Sequence, residues 1–88
     1  DTLRRKTTPD LFLEAVSHLQ LRQYRQAIAR LEEAQRQNQA FVNPLFAPEI
    51  EYYLAMALLG DDQHDRATTL LRQIQQNPRH PYHGFVSD

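Results

Sequence analysis

The 88-residue chain has no cysteine and no tryptophan, one methionine, two glycines, and ten basic residues against eleven acidic ones. Each shortage removes a class of protein. Without cysteine there is neither a disulfide framework nor a thiolate metal site, although a cysteine-free domain is tolerated in any compartment. A net charge of -1 supplies no positive field for phosphate backbones, and the arginines are scattered among acids instead of forming a stripe, which argues against nucleic-acid binding. The longest apolar stretch, Ile50 to Leu59, is far short of the roughly 20 residues that cross a bilayer, and no signal peptide opens the chain, so direct membrane insertion is not expected. What is present is 41% apolar, enough to collapse and bury a core, which excludes a collagen or a strongly disordered tail. The length bounds that core to one domain. The start at Asp1 and the ending Gly-Phe-Val-Ser-Asp suggest a processed product or a piece of a longer protein.

The apolar periodicity predicts four helices. Thr8-Pro9-Asp10 is a helix start, with Thr8 as hydroxyl cap, and Leu11, Phe12, Ala15, Val16 and Leu19 form a stripe that breaks around Leu21 to Gln23. Tyr24, Ala27, Ile28, Leu31 and Ala34 make a second stripe, opposed by Arg25, Arg30, Glu32, Glu33 and Arg36. The connection after it, Phe41 to Pro48, mixes turn residues with large apolar ones and is expected to pack on something. Pro48, Glu49 and Glu51 open a third helix that is apolar almost all round, and Gly60 suits the left-handed position after it. Asp61-Asp62 suit the turn and cap before a fourth stripe, Ala67, Leu70, Leu71 and Ile74, which Asn77-Pro78 stops. The tail from His80 to Val86 has no clear period and is either a docked arm or the beginning of a cut-off helix.

A shift of forty residues lays Ala15 on Ala55, Leu19 on Leu59, Gln23 on Gln63, Ala27 on Ala67, Leu31 on Leu71 and Gln35 on Gln75. Successive matches are four residues apart, so what repeats is one packing face across both helices of a hairpin, with small alanines permitting close approach. These residues resemble the tetratricopeptide repeat (TPR), whose first helix carries a small residue and whose second opens with an aromatic followed by alanine; Tyr24-Arg-Gln-Ala27-Ile28 carries the best local match. The resemblance implies an all-α fold of two TPR-like hairpins, four helices in a short right-handed array. It places an N-terminal linker at 1–8, hairpin one at about 9–38, a connection at 39–47, hairpin two at about 48–77, with the tandem closing by 81, and a tail at 82–88. The chain departs from the family pattern where Glu14 takes a usual leucine position, Arg22 and Asp62 replace the turn glycine, and His64 replaces the aromatic. The forty-residue spacing also exceeds the family period of about 34, with the surplus in the Phe41–Pro48 connection. The ending Asn77-Pro-Arg-His-Pro-Tyr82 is similar to the close of TPR-like segments at the end of some bacterial membrane-associated or regulatory proteins, which leaves the compartment open between cytoplasmic and extracytoplasmic.

The resemblance also implies where a ligand binds: along the concave face lined by first helices, here Phe12, Val16, Leu19, Tyr52, Met56 and Leu59. Those residues are apolar, and the third helix is too apolar to be satisfied by one neighbour, so a hydrophobic peptide or helix fits. The alternatives are self-association through the same face, because repeat arrays need about three units to bury a continuous core, or coverage of the face by the first helix, the Phe41–Phe46 loop or the tail of the same molecule. The family's clamp for a C-terminal carboxylate uses Lys and Asn on this face, which are missing. Asp61, Asp62, His64 and Asp65, or His80 with His83, offer metal-ligand types but no recognised spacing; a solvated turn explains the first group, and a metal-binding domain stays as the remote alternative. Ser17 beside His18, and Glu14 with Glu32, make no catalytic constellation. Arg4-Arg5-Lys6 falls below the size of a lipid-binding cluster. The expectation is a non-enzymatic binding module with no cofactor and a protein or peptide partner.

Overall fold

The computed structural model describes residues 7–40 and 46–85. It contains four α-helices, α1 (Thr8–Gln20), α2 (Tyr24–Asn38), α3 (Ala47–Gly60) and α4 (His64–Gln75), and a 3₁₀ turn at His83–Phe85, with no strand among the described residues. The fold is all-α. Consecutive helices pack on one another, α1 on α2, α2 on α3 and α3 on α4, while α1 also meets α3 along a narrower seam. Arg4, Arg5, Lys6 and most of the Phe41–Pro48 connection lie outside the described residues.

The helix starts follow two different rules. α1 is capped by Thr7, not by Thr8: the Thr7 hydroxyl accepts the Asp10 backbone N–H at 3.4 Å, and the Asp10 carboxylate accepts the Thr7 N–H in return. Thr8 is the first helical residue, and its buried hydroxyl donates to Gln37 Oε1 at 3.0 Å, tying the start of α1 to the end of α2. Such a reciprocal cap satisfies two orphan donors and stabilises a helix by about 1 kcal/mol. By contrast, α2 and α4 start at Gln23 and Gln63 without any side-chain cap. Their position is set by the turn before them.

Both turns close with the same hydrogen bonds. In the first, Gln23 N–H donates to His18 O at 2.8 Å and Arg22 N–H to Leu19 O at 3.0 Å; in the second, Gln63 N–H donates to Leu58 O at 2.9 Å and Asp62 N–H to Leu59 O at 3.1 Å. This is the Schellman ending, in which the residue after the C-cap turns left-handed. Arg22 (φ 60°) and Asp62 (φ 61°) occupy that position. The expectation for Gly60 is thereby corrected: it is helical, and Asp62 makes the left-handed turn. Gly60 answers a packing demand instead. A Cβ there would lie 2.5 Å from Tyr24 Cζ and closer still to Cε1 and Cδ1, so the ring at the start of α2 rests directly on the end of the α3 backbone.

The core lies where the four helices converge. Leu11, Ala15, Ala27, Leu31, Ala34, Ile50, Ala55, Ala57 and Ala67 have no accessible surface, and Ile28, Leu54, Leu58 and Ile74 are buried with them. Ala15 with Ala55, and Ala27 with Ala67, are the pairs related by the forty-residue shift, and all four are sealed. Leu19 and Leu59, another such pair, are both half-buried against the cluster. Among the described residues, ion pairs also span the helices: Arg30 to Glu14 joins α2 to α1 at 3.1 Å, Arg25 to Asp61 joins α2 to the end of α3 at 3.4 Å, and Arg66 to Glu32 joins α4 to α2 at 2.6 Å. All include partly or largely exposed side chains, so each contributes below about 1 kcal/mol.

Candidate functional site

Helical register places Val16 and Leu13 on one side of α1, and Tyr52, Met56 and Leu59 on the side of α3 away from the buried Leu54 and Leu58. Phe12 stands at the seam between them. Its ring stacks on Phe46 at 5.2 Å and meets the edge of Tyr53 at 5.5 Å. Tyr53 in turn meets Tyr52 at 5.8 Å, and Tyr52 stacks face to face on Tyr82 at 4.4 Å with 6° between the planes. A ribbon of rings therefore runs from the start of α3 through α1, back across α3 and onto the C-terminal arm. Offset and edge-on pairs of this kind each add about 0.5–1.5 kcal/mol beyond the area they bury.

Phe12, Val16, Leu19, Tyr52, Met56 and Leu59 are all half-buried. Phe12, Leu19 and Leu59 also pack against the core, so part of each serves the fold. Leu13, next to Phe12 on α1, is 65% exposed, and Phe46 is 41% exposed. The residues that periodicity left out are Tyr53, Phe46 and Tyr82, which join the two helices into one surface. Tyr53 precedes Leu54 in an apolar run and gives no sign of its direction. Tyr82 lies in a segment without period, and only its aromatic character marked it.

The face has two occupants from its own molecule. Phe46, the last residue of the connection, covers one side of Phe12, and Tyr82 covers one side of Tyr52. The Tyr82 phenol is held above the ordinary tyrosine range, chiefly by desolvation, then by Tyr53, Glu49 and Tyr52 around it. The arm is a docked one: His80 is buried, and its Nε2 lies 3.2 Å from Glu51 Oε1 while its Nδ1 accepts the Tyr82 N–H at 3.1 Å. An acceptor at Nδ1 puts the neutral ring's proton on Nε2, aimed at the carboxylate.

Other candidate groups are used structurally. His83 Nδ1 lies 3.4 Å from Ile74 O, which ties the arm to α4. Asp61 faces Arg25 and Gln63, whereas Asp62 pairs with His64 at 3.6 Å, both largely exposed. Glu14 and Glu32 face Arg30 and Arg66, and His18 lies 2.7 Å from Gln23 Oε1. Among the described residues no three potential ligands gather as a metal site would require. Two hollows open on the other side of α3, and two more lie around the α3–α4 turn, lined by Arg25, Ile28, Asp61 and Gln63 and by residues 62–66. Of the first two, one of about 490 Å³ is lined by Gln35, Asn38, Gln39, Ala47 and Glu51, and one of about 290 Å³ by Gln35, Leu54, Leu58 and Leu70 with neighbouring polar residues. They are open and amide-rimmed, a poor enclosure for a small molecule. Among the described residues no helix is long and apolar enough to cross a membrane. No protein-family profile, no characterised protein and no solved structure matches this chain.

Proposed function

We propose that this chain is a non-enzymatic interaction module that receives an amphipathic helix or apolar peptide on the α1–α3 face. The observation that carries the proposal is the ring ribbon from Phe46 through Phe12, Tyr53 and Tyr52. It crosses between two helices, is half-buried at Phe12, Tyr53 and Tyr52 and exposed at Phe46, and is flanked by Val16, Met56, Leu59 and the exposed Leu13. Large rigid rings beside a flexible thioether are adaptable contact chemistry, and α1 and α3, which meet along a narrow seam, together offer a two-helix apolar face on which a helix can lie. We read the two hairpins as TPR-like units. The matching Schellman turns, the four sealed alanines and the half-buried Leu19 and Leu59 support that reading through the forty-residue correspondence.

Self-association through the same face is the second reading, favoured by the 65% exposure of Leu13 beside the ribbon. One experiment separates the two. Sedimentation equilibrium over about a hundredfold range of concentration reads the oligomer directly, and a displayed library of amphipathic helical peptides reads the groove. A monomer whose selected peptides share apolar anchors at helical spacing, and lose binding to Met56→Glu, supports the groove. A dimer that Met56→Glu dissociates supports self-association. A monomer whose peptide binders ignore Met56→Glu refutes both.

A further inference from the structure

The arm that follows α4 is held differently from every helix. Asn77 folds it back, accepting the Arg79 N–H on its side chain at 3.1 Å and the His80 N–H on its carbonyl at 3.0 Å. His80 and Tyr82 then make its main side-chain contacts with α3, the imidazole to Glu51 and the phenol ring to Tyr52 and Tyr53. Asn77, Pro78, Arg79, Pro81 and Gly84 are exposed. Each helix is fastened by fully or nearly buried Leu, Ile or Ala side chains; the described fastenings of the arm are instead polar and aromatic: His80 to Glu51, the Tyr82 ring to Tyr52 and Tyr53, and His83 Nδ1 to the Ile74 carbonyl of α4. Segments with so little buried apolar contact open independently of the global fold.

The Tyr52 ring that Tyr82 covers is one of the residues assigned to the docking face. We infer that the arm, residues 77–85, is a reversible cover of the Tyr52 end of the α1–α3 face: closed, it shields Tyr52 and Tyr53 from a partner, and a partner must displace Tyr82 to reach them. This inference rests on reading that face as a docking surface. The cover competes through its own ring, offering Tyr52 the same flat aromatic contact that an incoming aromatic or apolar side chain would make. The imidazole supplies the hinge point, because one ring holds the Tyr82 backbone through Nδ1 and α3 through Nε2.

The structure supplies its own reporters of opening. The Tyr82 N–H is bonded to His80 Nδ1, and the His83 N–H donates to His80 O at 2.9 Å, so exchange of these two amides reads the closed fraction. Tyr82→Ala removes the stack, and the open population is expected to rise at least about two- to twelvefold, the weight of one aromatic pair. Exchange at both amides accelerates by that factor. Binding of the dye bis-ANS rises with it while far-UV circular dichroism keeps its helical signal, and Met56→Glu in the same background removes the added dye. Tyr82→Phe keeps the ring and is expected to stay closed; His80→Ala opens the arm by its imidazole fastening and is read at the His83 N–H, whose backbone acceptor survives, because the substitution itself deletes the acceptor of the Tyr82 N–H. Faster exchange without added dye binding in either opening variant overturns the inference, since the arm would then brace the fold without shielding the face. Unchanged exchange in both variants overturns it too. Added dye that Met56→Glu removes, with no peptide captured and no self-association in either form, leaves the cover standing and overturns the docking function.

Discussion

Replacing Gly60 by alanine sets two well-characterised effects against each other in one residue. Gly60 is the last helical residue of α3 and its φ is not positive, so backbone propensity alone favours alanine, by up to about 1 kcal/mol in a helix interior and less at an end. The added Cβ would lie 2.5 Å from Tyr24 Cζ and nearer to two other ring atoms. Tyr24 is half-buried at the start of α2, close behind the left-handed Arg22, so its ring cannot retreat without disturbing the turn. Overpacking of this kind costs about 1–3 kcal/mol. Subtracting a propensity gain of a few tenths to about 1 kcal/mol leaves Gly60→Ala destabilising by up to about 2.7 kcal/mol, and close to neutral only where the smallest overpacking meets the largest gain. Urea unfolding followed at 222 nm measures it. The decisive arm is the same substitution in a Tyr24→Ala background, where the obstacle is gone and only propensity remains: Gly60→Ala should then stabilise, by a few tenths to about 1 kcal/mol. Equal destabilisation in both backgrounds would refute the idea that the ring is what requires glycine.

The two left-handed turn residues give a second test. Arg22→Gly and Asp62→Gly should each stabilise, by up to about 1 kcal/mol, with the larger gain at Arg22 because aspartate tolerates the left-handed region better; chemical denaturation of both and of the double variant checks size and additivity. Leu31→Ala, at a position with no accessible surface, should cost about 2–5 kcal/mol, read in the same melts. For pH, the Tyr82 phenol is raised in the folded protein, so its neutral form is the one the closed arm favours. The stability it contributes is complete below the unfolded tyrosine value of about 10 and is lost as pH rises through the higher folded value. A ring-carbon NMR titration should show Tyr82 with a midpoint above that of a tyrosine peptide, and a midpoint at or below it would contradict the burial of the ring.

Periodicity reached the helices and most of the core because both depend on local pattern: Leu11, Ala15, Ala27, Leu31 and Ala34 lie on the expected stripes and are sealed. The starts were less legible. Thr7 and Thr8 are adjacent hydroxyls before a proline, and composition does not say which of them caps; the reciprocal bond with Asp10 selects Thr7. Gly60 was misread for a related reason, since a glycine at a helix end ordinarily marks the left-handed turn, and only the position of the Tyr24 ring reveals the tighter demand. Of the face proposed for docking, the sequence shows the apolar character of the positions on α1 and α3, which the structure leaves half-buried. Phe46 and Tyr82 were reachable only as the alternative that the Phe41–Phe46 loop or the tail covers this face, and which ring each of them meets was not, because their positions depend on chain that has no period.

The forty-residue correspondence also shows where the two hairpins stop being equivalent. On α3, Ile50, Leu54, Ala57 and Leu58 are buried on the side that meets α2, and the same positions of α1 are Asp10, Glu14, Ser17 and His18. A helix laid on α1 as α2 is laid on α3 would meet a carboxylate pair, a hydroxyl and an imidazole where α2 meets an apolar ridge. Burying those groups without partners would cost more than the contact returns, and Glu14 is already engaged by Arg30. Copies of this chain are therefore poorly suited to stack head to tail through the outer side of α1. The partly exposed apolar surface lies away from that side, on Leu13, Val16, Tyr52 and Met56, so any association that uses it meets the arm at Tyr52.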